Sequence, residues 1–251
     1  MAHYLALFKL RIGLMVAFSA VAASLAAPGS PSPQTVVFLA VVTLCAAAGS
    51  GALNNYLDRD IDRVMERTQG RLLPCGKVPP GAVLWTGIVL LLGSLVAALL
   101  INLFVSLHLA LGSFAYVVLY TLWLKRRTPW NIVIGGLAGS FAILAGGAAV
   151  EGGASLTLTS ASLALVLFLW TPPHFWSLAI LRKEEYREAR IPMLPVVAGE
   201  EKAARWILGH TLGMVALSLV PYWQGSLGTF YLIAALGAGA LFLARNLQLL
   251  L

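Results

Sequence analysis

The chain has 251 residues, of which 59% are hydrophobic and only 11% are charged, and its formal net charge is +7. With a mean hydropathy of +0.86, this composition excludes a water-soluble domain and is typical of a membrane protein with several spanning helices. We therefore predict an all-α, polytopic transmembrane helix bundle. The positive net charge follows from membrane topology and requires no nucleic-acid partner.

Eight apolar segments are long enough to span a bilayer, because a spanning helix needs roughly 20 apolar residues. They lie near residues 10–27, 34–57, 81–101, 104–124, 130–150, 157–181, 203–222 and 227–245. If the N-terminus is cytoplasmic, all 17 basic residues fall on the cytoplasmic side, as the positive-inside rule requires. The connection 151–156 then lies on the outer side.

The first apolar segment has an alternative interpretation. Residues 12–27, preceded by Lys9 and Arg11 and followed by Pro-Gly, could form a signal peptide. Removing this segment would spoil the alternation of basic and non-basic connections, so we interpret it as the first span.

Polar side chains recur at helical spacing where the second span ends. Asn54, Asp58 and Asp62 are four residues apart, so on a helix they lie along one face, which we call the oxygen ledge. Mg²⁺ is bound in proteins by one or two carboxylates, with substrate phosphates and water completing its coordination. Carboxylates at the end of a span that face the bundle interior are functional by default. The alternative is a solvated loop whose charges merely pair.

Basic residues follow the oxygen ledge and are suited to binding phosphate oxygens. These are Arg63, Arg67, Arg71 and Lys77. Together with the ledge they predict a magnesium-diphosphate site. Asp60 falls on another face of the helix, and we expect it to point toward Arg63 or water.

Two proline-rich segments are expected to form caps over the cytoplasmic mouth of the bundle. The first is 72–80, and the second is 189–201, which follows Glu184 and Glu185. These two glutamates could supply a second carboxylate cluster that faces the oxygen ledge.

Further candidate residues lie in the fourth, fifth and sixth spans. Tyr120 and Lys125 come to the same mouth, either as an interfacial anchor or as contacts for a diphosphate. Asn131 is polar enough to face a site. Pro172 and Pro173 are expected to kink the sixth span and free backbone carbonyls just before His174, which is either a structural histidine or a substrate contact.

Three motifs resemble one family. The stretches NNYLDRDIDRVMERT, YTLWLKRRTPWNIVIGGLAG and LWTPPHFWSLAILRKEEY, the last followed by IPMLPVVAGE, are similar to the heme O synthases (protoheme IX farnesyltransferases) of the UbiA superfamily of intramembrane prenyltransferases. The resemblance runs from about Tyr4 to Leu243. Family members typically have nine spans. The resemblance thus implies a single prenyltransferase domain over residues 1–251 that ends where the ninth span would begin.

The resemblance implies a central cavity, capped on the cytoplasmic side, that binds farnesyl diphosphate through Mg²⁺. The oxygen ledge would hold the first metal ion, and Glu184 or Glu185 would lie near the second. Lys125 and Arg126 would neutralise the leaving diphosphate. The implied location is a bacterial plasma (inner) membrane. The implied partners are farnesyl diphosphate, heme b, the lipid bilayer and, further along, heme A synthase or assembly factors of terminal oxidases.

The implied reaction joins a farnesyl group to a vinyl group of protoheme IX, adds water and gives heme O and diphosphate. His174 would contact heme, at the iron or at a propionate. Alternatives are a prenyltransferase for an aromatic quinone precursor, whose second motif should be rich in Asp, a non-catalytic heme-binding assembly protein, and a transporter. A transporter would carry its acidic residues near the bilayer midplane.

Overall fold

The computed structural model describes Tyr4, residues 6–150 and residues 156–249, and all regular structure in these ranges is helical. Apart from Leu156, the predicted connection 151–156 lies outside the described residues, as do the two chain ends. The helices are α1 (Leu10–Ala26), α2 (Pro33–Leu57), α3 (Arg59–Val64), α4 (Glu66–Gln69), α5 (Pro80–Ala98), α6 (Leu103–Phe114), α7 (Asn131–Gly135), α8 (Leu137–Ala148), α9 (Leu158–Leu181), α10 (Lys183–Glu188), α11 (Leu194–Ala198), α12 (Glu200–Ser218), α13 (Val220–Trp223) and α14 (Thr229–Leu247).

Eight spans are present in the described part of the chain. Seven segments are long and apolar enough to cross a membrane, and α1 is a shorter apolar helix. Three of the seven combine two consecutive helical pieces: α6 with the π-helix Ala115–Leu124, α7 with α8, and α12 with α13. The predicted span boundaries agree with the observed ones to within three residues. The predicted all-α membrane bundle is therefore confirmed.

Three spans begin with a side-chain cap at the same end of the bundle. The hydroxyls of Ser32 and Thr157 accept hydrogen bonds from the amides of Thr35 and Ser160, both at 3.1 Å. Asn102 Oδ1 accepts one from Val105 N at 2.9 Å. Such caps satisfy backbone donors that a helix start leaves unpaired. They fix where α2, α6 and α9 enter the bundle.

The two ends of the bundle differ in charge. Because successive spans run in opposite directions, all 17 basic residues lie at one end or within about two helical turns of it. We call this the basic end and the other the opposite end. The oxygen ledge, at the junction of α2 and α3, lies at the basic end.

Five spans surround a central space, and three pack outside them. The inner five are α1, α2, α6, α8 and α9, whereas α5 packs on α2, α12 on α9, and α14 on α12. Small residues allow close packing, because a Cβ at Gly49 of α2 would lie 2.7 Å from Leu91 N of α5. The neighbouring helices therefore position α2, and with it the oxygen ledge.

The predicted caps form at the basic end. Each cap is longer than predicted: the first includes α3 and α4 as well as residues 72–80, and the second includes α10 as well as residues 189–201, which contain α11. Both contribute to one buried apolar cluster, in which Ile61 and Met65 join Tyr186, Met193 and the fully buried Trp176 of α9. The amide of Arg67 also donates a 3.4 Å hydrogen bond to Glu185. The two caps are therefore joined to each other and to the bundle.

Pro172 and Pro173, which are predicted to kink the sixth span, do not interrupt its helix. Helix α9 runs without interruption from Leu158 to Leu181, and both prolines are buried within it. Membrane helices tolerate proline because neighbouring helices and hydroxyl side chains satisfy backbone groups that the ring leaves unpaired. Thr171 and Ser177, on either side of the pair, each donate to a backbone carbonyl four residues earlier.

Candidate active site

The oxygen ledge is intact although the helix that carries it is interrupted. Asp58 ends α2 with φ −91° and ψ 4°, and α3 starts at the next residue. Hydrogen bonds of helical spacing nevertheless continue across the junction, from Asp58 N to Asn54 O at 2.9 Å and from Asp62 N to Asp58 O at 2.8 Å. All three side chains are buried, at 3–4% exposure. The predicted single face is thereby confirmed.

A buried polar network connects the oxygen ledge to the fourth span. The Asn54 amide donates to Asp58 Oδ2 at 2.9 Å and to Thr121 Oγ1 at 2.8 Å. Lys125 Nζ lies 2.5 Å from the same Asp58 oxygen. Arg71, from the loop after α4, lies 2.7 Å from Asp62 Oδ2. Both carboxylates therefore face cations of this chain, which offsets part of the cost of burying them.

Lys9 is a further cation of this network. Its ammonium donates to Asn54 Oδ1 and, at 3.2 Å, to the Tyr116 hydroxyl. The backbone of Lys9 is in the left-handed region, with φ 47° and ψ 42°, a conformation that costs a non-glycine residue energy and is enriched at functional sites. Burial lowers its pKa to about 8, with a further contribution from Arg71. No motif in the sequence predicts this position for Lys9, and its one signal there is a lysine at the basic end of the first span.

Two tyrosines of the fourth span accompany the lysines. The rings of Tyr116 and Tyr120 stack with their centroids 6.0 Å apart. Lys9 lies 5.9 Å from the centroid of Tyr116, and Lys125 lies 5.8 Å from that of Tyr120, both within the range of cation–π attraction. These tyrosines, with Thr121, belong to the π-helix, a geometry found frequently at functional sites.

A cavity of about 550 Å³ occupies the centre of the bundle. Most of its surface is apolar, and at the basic end it is lined by Lys9, Tyr116 and Tyr120. Lys9 therefore belongs to both the apolar cavity and the polar network, because it also binds Asn54. An apolar chain with an anionic head group would place its chain in the cavity and its head at this junction.

His174 lines the cavity, on the turn of α9 after the two prolines. Its ring stacks on that of Trp170 at 4.4 Å and meets Phe175 edge-on at 5.1 Å. The side chain is exposed to the cavity rather than packed inside the protein. His174 is therefore placed where it could contact a substrate in the cavity, as predicted from the sequence.

The other predicted basic residues do not reach the oxygen ledge. Arg63, Arg67 and Lys77 are exposed at the basic end. Arg126 binds Asp60 through two hydrogen bonds of 2.6 and 2.7 Å. These bonds lower the pKa of the Asp60 carboxyl. The expected pairing of Asp60 with Arg63 or water is therefore corrected: its partner is Arg126, which the turn after the fourth span brings to the outside of the ledge.

Asn131 and the predicted second carboxylate pair have local partners. Asn131 is fully buried, and its amide donates to Thr128 O, whereas its Oδ1 has no hydrogen-bond partner in the described part of the chain. Glu184 pairs with Arg187 on the exposed side of α10. Glu185 pairs with Arg182 and accepts the bond from Arg67 N described above. Of the two glutamates, Glu185 is the one that faces the first cap.

The oxygen ledge fits a cation that a substrate helps to hold. Within the described ranges, no three His, Cys, Asp or Glu side chains lie close enough together to form a metal site. Asp58 Oδ1, however, is buried and accepts no hydrogen bond from the residues that the structure describes, which is an unusual state for a carboxylate oxygen. One or two protein carboxylates are what Mg²⁺ requires when phosphate oxygens complete its coordination. The ledge therefore suits Mg²⁺ bound jointly with a diphosphate.

Known proteins share this fold. A digeranylgeranylglyceryl phosphate synthase matches 99% of this chain and 87% of its own length with a TM-score of 0.80 at 22% identity. A UbiA homolog from Archaeoglobus fulgidus, bound to DMAPP and Mg²⁺, matches 98% of this chain and 85% of its own with a TM-score of 0.77 at 18% identity. At these identities the likeness is one of fold.

Sequence relatives are considerably closer. "Protoheme IX farnesyltransferase 2" of Paramagnetospirillum magneticum is 48% identical over 96% of this chain and 84% of its own length. The "Protoheme IX farnesyltransferase" of Granulibacter bethesdensis is 42% identical over 99% of this chain and 78% of its own. The model of the UbiA prenyltransferase family matches residues 15–251. The chain therefore belongs to the UbiA prenyltransferase family, in which its relatives are protoheme IX farnesyltransferases.

Proposed function

We propose that this prenyltransferase transfers the farnesyl group of farnesyl diphosphate to a vinyl group of protoheme IX (heme b), with addition of water, to give heme O and diphosphate. The observation that supports prenyl transfer is the junction at Lys9, where an apolar cavity meets buried carboxylates and cations. The choice of farnesyl and protoheme IX rests on the relatives' names.

The diphosphate head group binds at the junction. Asn54, Asp58 and Asp62 hold Mg²⁺ together with it, and Glu185 is the proposed donor for a second ion. The bound metal supplies Lewis-acid stabilisation of phosphate charge. The cations that now pair with the ledge, namely Lys9, Lys125 and Arg71, donate to diphosphate oxygens when the substrate is present.

Bond breaking places negative charge on the leaving diphosphate and positive charge on the allylic carbon. Preorganised ammonium groups stabilise the negative charge on the diphosphate, and electrostatic stabilisation of this kind is the largest type of catalytic contribution. The faces of Tyr116 and Tyr120 stabilise the positive charge on the allylic carbon. The apolar cavity keeps water from this cation until the vinyl carbon attacks. Water then adds to the cation formed on the porphyrin side chain and loses a proton, which completes the hydroxyethylfarnesyl group.

The acceptor heme is held in part by His174, at its iron or at a propionate. The support is that His174 lines the same cavity as Lys9 and the tyrosines. Its neighbour Trp170 adds an aromatic face on which a porphyrin can pack.

Residues around the junction guide the anionic substrate. Exposed basic side chains raise the local concentration of an anion before it binds. We assign this role to Arg63, Arg67 and Lys77, and treat Arg126 as a second cation for the departing diphosphate. Asn131 and Glu184 are proposed to support the mouth of the cavity.

The protein is an integral membrane protein, and we propose a bacterial inner membrane with the basic end cytoplasmic. We further propose that residues 1–251 form one prenyltransferase domain. Heme A synthase or assembly factors of terminal oxidases are the proposed recipients of the product.

The deciding experiment follows heme b and farnesyl diphosphate in membranes that contain this chain, with mass spectrometry of the hemes. We expect heme O from the parent chain and from Asp60→Asn, and none from Asp58→Asn. Prenylation of an aromatic acid instead of heme would overturn the acceptor assignment. Heme binding without transfer to any acceptor would support the non-catalytic alternative and overturn the proposed reaction.

A further inference from the structure

The cavity is closed at the opposite end. On four of the five lining helices its last residues there are Ser19, Thr43, His108 and Ala142, and on α9 the last is Leu167. The next residues toward the opposite end belong to a buried apolar cluster that includes Ala20, Val42, Val105 and Ala145, all at most 3% exposed. The four helices therefore close together just beyond the cavity.

Backbone contact reinforces this closure. A Cβ at Gly146 of α8 would overlap the carbonyl oxygen of Ala20 in α1. The two helices thus meet without intervening side chains, immediately beyond Ser19 and Ala142. Close-packed interiors of this kind resist the insertion of even one additional methylene. A chain that enters from the basic end between α1 and α8 is stopped by this contact.

The length of the cavity can be read from the helices that line it. From Lys9 to Ser19 on α1, and from Ile132 to Ala142 along α7 and α8, the lining covers ten residues, or ~15 Å at the helical rise. On α2, the eleven residues from Asn54 to Thr43 correspond to ~16 Å. On α9 the lining from Phe175 to Leu167 covers only eight residues, or ~12 Å, so the walls give a length of ~12–16 Å from the polar junction to the closed end.

This distance fits one prenyl chain length. With carbon–carbon bonds of ~1.5 Å, an extended chain of three isoprene units measures ~14 Å, one of two units ~9 Å and one of four units ~19 Å. The three-unit chain matches the length of the cavity, the two-unit chain is shorter by about one isoprene unit, and the four-unit chain exceeds it by about one isoprene unit.

His108 is the largest of the four side chains at the closed end. Its Nδ1 is hydrogen-bonded to Phe104 O at 2.8 Å, and its ring lies 6.3 Å from that of Phe141. These contacts hold the imidazole in place. The ring has five atoms, which is as many heavy atoms as one isoprene unit has carbons. Removing it would free space for about one further unit.

We propose, on the basis of the function given above, that the closed end of the cavity selects the prenyl chain by length and that His108 sets the limit at three isoprene units. The proposal assigns a specificity role to a residue that has no part in the chemistry at Lys9 and Asp58.

The test is a competition among geranyl, farnesyl and geranylgeranyl diphosphate at equal concentration, with heme b as acceptor and mass spectrometry of the products. His108→Ala is expected to raise kcat/KM for geranylgeranyl relative to farnesyl diphosphate by about tenfold or more, the scale at which apolar pockets discriminate chain length. His108→Trp is expected to shift the preference toward geranyl. Leu107→Ala, at an exposed neighbouring position, is the control and should leave the ratio unchanged.

Two additional measurements distinguish a failure of the proposed role of His108 from a failure of the proposed heme acceptor. Ser19→Leu fills the closed end from α1 and should favour geranyl without touching His108. Thermal shifts with the three diphosphates alone report length selection even if heme is not the acceptor. An active or substrate-binding His108→Ala protein with the parent's length preference would overturn the role of His108. Absence of heme prenylation with preserved length selection would overturn the proposed acceptor instead.

Discussion

Lys125 Nζ lies 2.5 Å from Asp58 Oδ2, although the two residues are 67 positions apart in the chain. Both side chains are largely buried, with 13% and 4% exposure. A buried pair of this kind costs free energy to desolvate, and losing one partner leaves the other charge uncompensated. The ion pair holds the Lys125 ammonium beside the position where a diphosphate would bind.

Asp58 and Asp60 provide a matched pair of substitutions. Asp58→Asn removes a buried charge of the oxygen ledge, and we expect kcat/KM to fall by about 100-fold or more because the metal and Lys125 both lose their partner. Asp60→Asn removes an equal charge from the exposed side, and kcat/KM should stay within about threefold. Prenyl transfer in purified membranes measures both. Equal losses would show that the two carboxylates do not differ in role.

Lys9 is expected to matter more than its position near the N-terminus indicates. Lys9→Met removes the ammonium at the junction and should lower kcat/KM for farnesyl diphosphate by about 10- to 100-fold, because a charge-assisted contact to the leaving group is lost. Lys9→Arg should recover part of the lost kcat/KM. The control is Arg127→Met, which changes the net charge equally at an exposed site. Parent-like kinetics for Lys9→Met would rule out this role.

Alanine substitutions of His174 and His210 test the proposed heme contact, because both remove a histidine but His174 alone of the two lines the cavity. His210 bonds to Trp206 O and packs against Trp176, and it is not among the residues that line the cavity. We expect His174→Ala to weaken heme b binding by about tenfold or more and to alter the Soret band if iron is the contact, whereas His210→Ala should preserve both. Unchanged heme affinity and turnover in His174→Ala would exclude the assignment.

Alanine substitutions at two glycines distinguish the effect of helix packing on protein stability from the effect of helix propensity. Gly146→Ala should destabilise the protein by about 1–3 kcal/mol or more, because its Cβ overlaps the Ala20 carbonyl. Gly209→Ala, where a Cβ would meet no atom within 4 Å, should be neutral or stabilising by up to about 1 kcal/mol. Thermal unfolding in detergent gives both values. A stable Gly146→Ala protein would contradict the tight closure of the cavity.

Much of the architecture follows from local pattern. Spanning helices are specified by runs of apolar residues, and their direction by the placement of Lys and Arg, so the boundaries could be predicted closely. The oxygen ledge followed from a four-residue spacing, which survives the break at Asp58 because the backbone hydrogen bonds continue across it.

The remaining features depend on contacts between distant segments. Lys9 reaches Asn54 across 45 positions, and Arg126 turns outward to Asp60 rather than inward with Lys125. No spacing in the sequence distinguishes these two neighbouring cations. Likewise, the closed end at His108 arises only where four helices converge, so the length of the cavity could not be predicted from any one of them.

The π-helix Ala115–Leu124 makes the position of Lys125 depend on the helical geometry of the segment before it. Lys125 N bonds to Tyr120 O, five residues earlier, rather than to the residue four earlier as in an α-helix. In α-helical geometry the same residues would complete more turns, because each turn takes fewer residues than in a π-helix, and Lys125 would point in another direction. The ammonium would then leave Asp58 although every named side chain was still present. The arrangement of the candidate site thus depends on the helical geometry of one span as well as on its composition.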